Sequence, residues 1–328
     1  MTRILVLPTV LFGNHGPYRQ ALDAAGLTAV YPPDGKSPTT VEGLLPLLDG
    51  IDGALAGMEP FTGDVLKKFP KLRAIARMGV GYDAIDVPVA TEQKIAVTIT
   101  PGTNEISVAE HAIALLCGVM RGFPGRDAEV RSGVWIRKSL PRMAGKTIGL
   151  IGLGRIGKAV VPRARGLGLH VIAHDPYPDA EFAKQNDVRL VTLEELLHKS
   201  DIVSLHLPAT TITADLINET TLKMMKPGAV FINTARGNLV DEDALAEALR
   251  SGHLSAAGLD AFKVEPLPLD SPLLSLKNVL LAPHMGGLDL ESEVAMSLLA
   301  AQCLVKLHRG DWPEGCVVND QIRNGWKW

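Results

Sequence analysis

The stretch from Lys146 to Pro176, KTIGLIGLGRIGKAVVPRARGLGLHVIAHDP, limits the possible folds more than any other part of the chain. Ile148, Leu150 and Ile151 form a short apolar run that stops at Gly152, the pattern of a strand buried in a parallel sheet. Gly152, Gly154 and Gly157 then follow at the spacing at which the first permits a tight turn, the second lets backbone approach a pyrophosphate, and the third lets helix pack on strand. From Arg155 the chain reads as helix, with Ile156, Val160, Ala164 and Leu167 returning at steps of three and four. The start of such a helix offers free N–H groups and a positive dipole end to a phosphate. His170 to Ala173 is a second strand, and Asp175 stands just past it, 18 residues after Gly157. That is close to the ~20 expected for an acid that binds the adenosine ribose hydroxyls. Glycine-rich turns are common, so the weight rests on the whole order of strand, glycines, helix, strand and acid. Asp175 repels a 2'-phosphate and no Arg or Lys follows it before Lys184, which favours NAD over NADP.

A chain of 328 residues exceeds what one core usually serves, so two domains are expected. A net charge of −3 gives no electrostatic case for nucleic acid or an anionic membrane. Cys117, Cys303 and Cys316 lack metal-ligand spacing and cannot all pair, which suits a reducing, cytoplasmic compartment and predicts no metal site. The first residues, MTRILVLPTV, read as a strand rather than a signal peptide, and no apolar run reaches membrane length.

Residues 3–101 alternate short apolar runs (Ile4–Leu7, Ala29–Tyr31, Ala54–Ala56, Ala74–Ala76, Ile95–Ile99) with helix-like stretches such as Tyr18–Ala25, which implies a parallel sheet. No run here carries a phosphate fingerprint, so this domain is expected to hold the other reactant. After its fourth run, RMGVGYDAID places Gly79 and Gly81 where the N–H groups of Val80 and Gly81 can form a small nest for a carboxylate; a simple glycine turn explains the same residues. Ile106–Met120 is apolar on most sides and predicts a buried helix bridging two α/β units, with His111 and Cys117 on it as packing residues or as supports behind the site rather than ligands. Phe123–Arg142 reads as an irregular basic loop around Trp135. The second unit shows further strands at Ile202–Leu207, Ala229–Ile232, Ala256–Leu259 and Val279–Leu281, six in all. Its clearest helix is Asp241–Arg250, with Asp241 as N-cap. Leu288–Arg309 is a final helix able to carry the chain back to the first domain.

Three polar residues fall at strand ends on one edge of the second unit: Arg236 after FINTA, Glu265 after GLDAFKV, and His284 after LLAP. Ligands bind beyond the carboxyl ends of parallel strands, so all three can face a cofactor crevice. Hydride transfer at a carbinol carbon needs a proton acceptor or donor at the oxygen, which histidine supplies in both directions. A carboxylate beside the imidazole fixes its tautomer, and an arginine fork holds a carbonyl oxygen with a neighbouring carboxylate. Taken singly, each has an ordinary explanation as a loop arginine, a solvated acid or a capping histidine.

The residues TPGTNEISVAE, GLIGLGRIG, HDP, SLHLPATTIT, MMKPGAVFINTARGNLVDEDAL and GLDAFKVEPLPLDSPLLSLKNVLLAPHMGG resemble the D-isomer-specific 2-hydroxyacid dehydrogenase family, in the family's order. The resemblance implies an α/β protein of two doubly wound parallel-sheet domains: a flavodoxin-like substrate domain (1–101 plus 288–328) and an NAD-binding Rossmann domain (102–287). It implies a D-2-hydroxyacid/2-oxoacid oxidoreductase with the active site in the cleft. Arg236 would bind substrate oxygens, Glu265 would partner the histidine, and His284 would be the acid/base. Substrate contacts carry over to Val80, Gly81 and Arg236, with Met58 beside them. Cofactor contacts carry over to Gly152, Gly154, Arg155, Ile156, Gly157, Asp175, Pro208, Thr213, Thr234, Ala235, Arg236, Asp260, His284 and Gly286. A homodimer is implied, which gives the loop around Trp135 a partner-facing role. Two departures stand out: LDLES after PHMGG, and LPRMAGKT before the nucleotide strand. Rival readings are a dinucleotide-sensing binding protein, and a dehydrogenase of an unusual acid such as a sugar acid or phosphite. Glu59, if it points inward, disfavours a second substrate carboxylate.

Overall fold

The computed structural model describes residues 1–328, the side chain of Pro124 excepted. The chain divides into two compact units, Met1–Asn104 with Asp289–Trp328, and Glu105–Leu288.

The first unit is built on five parallel strands, β1 (Arg3–Val6), β2 (Thr28–Val30), β3 (Gly53–Ala56), β4 (Ala74–Arg77) and β5 (Ala96–Thr98), in the order β2-β1-β3-β4-β5. This is the flavodoxin-like order. Apolar residues run continuously through these strands because both faces are covered. The pleat sends Ile4 and Val6 into one core and Leu5 and Leu7 into the other. The first of those cores is completed by the helices Pro17–Ala24 and Leu290–Arg309, whose Leu22, Ala300, Leu304 and Leu307 are fully buried. The final helix therefore belongs to the domain formed by the start of the chain. Beyond it, Val317 bridges Thr98 in antiparallel sense and the Val318 N–H donates to the Val97 carbonyl, covering the β5 edge.

The second unit carries β6 (Thr147–Ile151), β7 (His170–His174), β8 (Arg189–Leu190), β9 (Ile202–Leu205), β10 (Ala229–Asn233), β11 (Leu254–Leu259) and β12 (Val279–Leu281). The parallel order is β12-β11-β10-β9-β6-β7-β8, so the strand sequence reverses at β6 and the sheet is doubly wound. The helix Glu105–Met120 buries Ala109, Ala112, Leu115 and Leu116 in one face of this sheet.

Two expectations need correction. The sheet has seven strands, because β8 is a two-residue exposed edge pairing with β7, too short and too polar to show an apolar pattern. The segment Phe123–Arg142 is not wholly irregular. Phe123–Arg131 is a helix with a proline in its first turn, a start position at which the missing N–H costs nothing, and an Arg131–Asp127 pair at 2.7 Å along its exposed face.

Candidate active site

The carboxyl ends of β10, β11 and β12 form one polar edge of the second unit. After β10, the Asn233 side chain braces the turn from both sides: its Oδ1 accepts the Ala235 N–H at 2.9 Å, and its Nδ2 donates to the Arg236 carbonyl at 2.9 Å. Gly237 comes next, and a Cβ there would lie 1.9 Å from the Phe262 carbonyl carbon, so only glycine lets the Arg236 turn press against the segment following β11. That segment leads to Glu265, whose Oε1 accepts the Phe262 N–H at 2.9 Å. The other carboxylate oxygen, Oε2, lies 2.7 Å from His284 Nδ1. An ionised carboxylate only accepts, so Nδ1 carries the proton and Nε2 is left for exchange with a ligand. Both side chains are about one quarter exposed, 27% for His284 and 28% for Glu265, sheltered yet reachable. Arg236 is half-buried at the head of its turn. A direct contact thus joins Glu265 and His284, while Arg236, whose Nη1 donates to the Ala235 carbonyl at 2.6 Å, sits on the turn packed against the segment that carries Glu265.

His284 has φ +52°, in the left-handed region that a side chain with a Cβ seldom adopts. The next two amides are held by Asp260, whose carboxylate accepts from Met285 at 2.9 Å and from Gly286 at 2.8 Å. Burial alone would push the Asp260 carboxyl up, but His111 and the two amides outweigh it and hold the group below the ordinary carboxylate range.

Around the reversal at β6, Gly152 has φ +99°, and a Cβ there would lie 2.3 Å from the His206 carbonyl oxygen. A Cβ on Gly157 would meet the Gly152 oxygen at the same distance, whereas one on Gly154 would meet nothing within 4 Å. Two glycines are therefore needed for packing and the third faces open space. The helix Arg155–Gly166 starts at Gly154 with no side-chain cap, so its first N–H groups have no capping acceptor; Arg155 is exposed and Ile156 half-buried there. Asp175 is tied to the glycine loop, accepting the Leu153 N–H at 2.7 Å, and it also accepts from Tyr177 at 2.8 Å. Thr213 donates to the Pro208 carbonyl at 2.9 Å, and Thr234 Oγ1 is buried with no hydrogen-bond partner among the described residues. An uncapped helix, an open glycine, a fixed acid and an orphaned buried hydroxyl along one sheet edge fit a dinucleotide.

In the first unit, Met58 follows β3 and is 48% exposed, with its Sδ 2.9 Å from Arg77 Nη2. Val80 and Gly81 follow β4. The preceding Gly79, at φ +138°, is fixed by its N–H to Thr100 Oγ1 at 2.8 Å and its carbonyl to the Thr100 N–H at 2.9 Å. Glu59 is buried; its carboxylate accepts from the Ser37 hydroxyl at 2.5 Å and the Gly57 N–H at 2.6 Å, and burial pushes its carboxyl up. No cluster of three metal-ligating side chains occurs among the described residues.

Residues 113–286 match the family described as D-isomer specific 2-hydroxyacid dehydrogenase, NAD binding domain. A glyoxylate reductase from Korarchaeum cryptofilum is 41% identical over 271 residues, which span 81% of this chain and 82% of that one. The chain belongs to this family. A D-3-phosphoglycerate dehydrogenase from Mycobacterium tuberculosis is 45% identical over 267 residues, 79% of this chain but only 50% of its own length. In solved structures, the D-lactate dehydrogenase from Aquifex aeolicus complexed with NAD and lactic acid superposes with a TM-score of 0.85 at 27% identity, over 97% of this chain and 99% of that one. The dehydrogenase is thus an NAD-dependent oxidoreductase of D-2-hydroxyacids, on two parallel-sheet domains.

Two residues of the dehydrogenase, His206 and Asn233, have no assignment in the sequence, and a third, His111, has one that names no partner. His206 is buried, with Nε2 2.9 Å from Ser204 Oγ and Nδ1 unpartnered among the described residues; burial pushes it down to about 4, so it is neutral at neutral pH. Its carbonyl forms the wall against Gly152. Asn233 braces the Arg236 turn, and its place at a strand end was the available signal. His111, read as packing or support, stands beside Asp260.

Proposed function

We propose that this dehydrogenase reduces a small 2-oxoacid, of the glyoxylate and hydroxypyruvate class, to the D-2-hydroxyacid, with His284 as proton donor and Arg236 as the group that polarises the carbonyl. The observation that carries the assignment is the 2.7 Å pair of His284 Nδ1 and Glu265, which leaves Nε2 as the exchanging nitrogen. When bound, NADH supplies the hydride. Glu265 accepts the Nδ1–H, and the His284 imidazolium passes its Nε2 proton to the carbonyl oxygen and ends neutral, with Nδ1–H still donated to Glu265. The Arg236 fork holds the carbonyl oxygen and the adjacent carboxylate. In the first unit, the N–H groups of Val80 and Gly81 are proposed as carboxylate donors, with Met58 as a further substrate contact, on the strength of the family resemblance. Gly152, Gly154, Arg155, Ile156, Gly157, Asp175, Pro208, Thr213, Thr234, Ala235, Asp260 and Gly286 are proposed to hold the dinucleotide. The substrate class is supported by two similar glyoxylate reductases, the archaeal relative and the structure from Paecilomyes thermophila, at a TM-score of 0.83.

The test is NADH oxidation against a panel running from glyoxylate and hydroxypyruvate through pyruvate to branched, aryl and sugar-derived oxoacids. Preference for the two smallest polar acids supports the proposal, and preference for any other group overturns the substrate class.

The enzyme is further proposed to be a cytoplasmic homodimer. Phe123, Val130, Trp135 and Ile136 are more than half exposed on one segment, at 59%, 55%, 78% and 59%, an apolar surface suited to a second copy. Cys117, Cys303 and Cys316 are free thiols, which suits a reducing compartment. Light scattering should give twice the chain mass for the wild type and the single mass for Trp135→Glu; a monomeric wild type removes the dimer.

A further inference from the structure

The helix Glu105–Met120 supplies none of the groups assigned above, yet two of its side chains reach the loop that carries His284. Ser107 is buried, and its hydroxyl donates to the Gly286 carbonyl at 2.8 Å. One turn later, on the same face, His111 Nε2 lies 3.3 Å from Asp260 Oδ1. That approach is at ion-pair distance but off the line of a hydrogen bond, so imidazole and carboxylate meet electrostatically. Asp260, 2% exposed, in turn accepts the Met285 and Gly286 N–H groups. The Gly286 residue is therefore held at its carbonyl by Ser107 and at its N–H by the carboxylate that His111 supports. There is no slack in the arrangement: a Cβ on Gly286 would lie 2.9 Å from Asp260 Oδ2 and 3.4 Å from His111 Cδ2.

The loop needs such a hold. His284 sits at φ +52°, a strained conformation that persists only where its surroundings over-determine it. Glu265 fixes the imidazole ring, but a side-chain bond does not by itself set the backbone. The backbone is set by what grips the two residues that follow.

The geometry points to Ser107 and His111 as a positioning clasp for His284: they act through Gly286 and Asp260 to keep the acid/base imidazole aimed, without touching substrate. A misplacement of ~1 Å at a reacting group costs about 10²-fold in rate. The clasp therefore shows in kcat more than in KM or NADH affinity, since the dinucleotide, as proposed, rests on the glycine loop and Asp175 as well as on Asp260 and Gly286.

The experiment compares Ser107→Ala, His111→Ala, His111→Gln and the double alanine variant with the wild type. It records kcat and KM on the best oxoacid of the panel, NADH dissociation constant by fluorescence, and thermal midpoint. Expected are a fall in kcat of roughly tenfold to a hundredfold for His111→Ala, with KM and NADH affinity within about threefold. The double variant should lose less than the product of the single losses, because both grip one residue. His111→Gln, whose amide N–H can face Asp260 as the imidazole Nε2 does, should recover most of kcat. Unchanged kcat in His111→Ala and Ser107→Ala overturns the clasp. So does a parallel collapse of kcat, KM, NADH affinity and thermal midpoint that His111→Gln does not relieve, since that describes a folding role. If the wild type turns over no oxoacid, the substrate proposal has failed separately. The clasp is then read from the His284 ring proton resonances, identified by their loss in His284→Asn, which should shift or broaden in His111→Ala and return in His111→Gln; unchanged resonances overturn it.

Discussion

At the scale of single residues, the chemistry depends on which atoms are engaged and which remain available. Glu265 engages His284 Nδ1, and with His284 as the proposed acid/base, reduction requires the protonated imidazole and oxidation the neutral one, so the two directions should show opposite pH dependence. Replacing His284 with Asn should lower kcat by about 10²–10⁴-fold with NADH binding retained, measured by stopped-flow turnover and fluorescence titration. Glu265→Gln should lower kcat in both directions, measured by stopped-flow turnover, because an amide no longer fixes the proton on His284 Nδ1 and the ring is free to take the other tautomer. Asp175 is proposed to select the cofactor in the same local manner. Its carboxylate is pinned beside the glycine loop by Leu153, and Asp175→Ser should narrow the preference for NADH over NADPH, read as the ratio of kcat/KM values. Asp260 carries a sign of its own: a carboxyl held below its ordinary value stabilises the fold above the unfolded range, and that contribution is lost as pH falls through the folded value. Glycine spacing, Asp175 and the three polar residues were legible in the sequence as residue types at strand ends, while the roles proposed for Arg236, Glu265 and His284 rest on the family resemblance. The left-handed His284 and the grip of Asp260 were not, since backbone angles and partners distant in the chain leave no local pattern.

At the scale of elements, the strands announced themselves as apolar runs because both sheets are covered on both faces. Asp241 was readable as a cap for the helix Glu242–Arg250, and its side chain accepts the Ala244 N–H at 3.1 Å. Elements with weak burial were harder to read. The exposed helix Phe123–Arg131 and the two-residue β8 bury too little to impose a period. The edge of β5 shows what a buried polar side chain does for an element. Asn319 is fully buried; its Oδ1 accepts the Val97 N–H at 2.9 Å and its Nδ2 donates to the Ile95 carbonyl at 2.9 Å. Asn319→Ala leaves both backbone groups unsatisfied and should cost roughly 2–4 kcal/mol, measured from the urea midpoint. A loss below about 0.5 kcal/mol would mean that the tail does not secure the edge strand.

At the scale of the whole molecule, the first unit is discontinuous, and its core takes Met296, Ala300, Ala301, Leu304 and Leu307 from the last helix. The two units hold separate cores, so damage to one need not spread. Leu304→Asp should unfold the first unit while the second still binds NADH, measured by hydrogen exchange and fluorescence; loss of both would show that the units fold as one. The sequence by itself determined that there would be two parallel sheets, a dinucleotide loop ahead of an acid, and three polar residues at strand ends. Those are properties of period, spacing and residue type, which act over a few neighbouring positions. Only the tertiary structure decided that β10, β11 and β12 end on one edge, where Gly237 meets Phe262 and Glu265 meets His284. It also decided that a helix over a hundred residues upstream grips the histidine loop. Contacts between residues so far apart form when strands pair and helices pack, and the close approaches that allow them are set by atoms the local sequence does not contain.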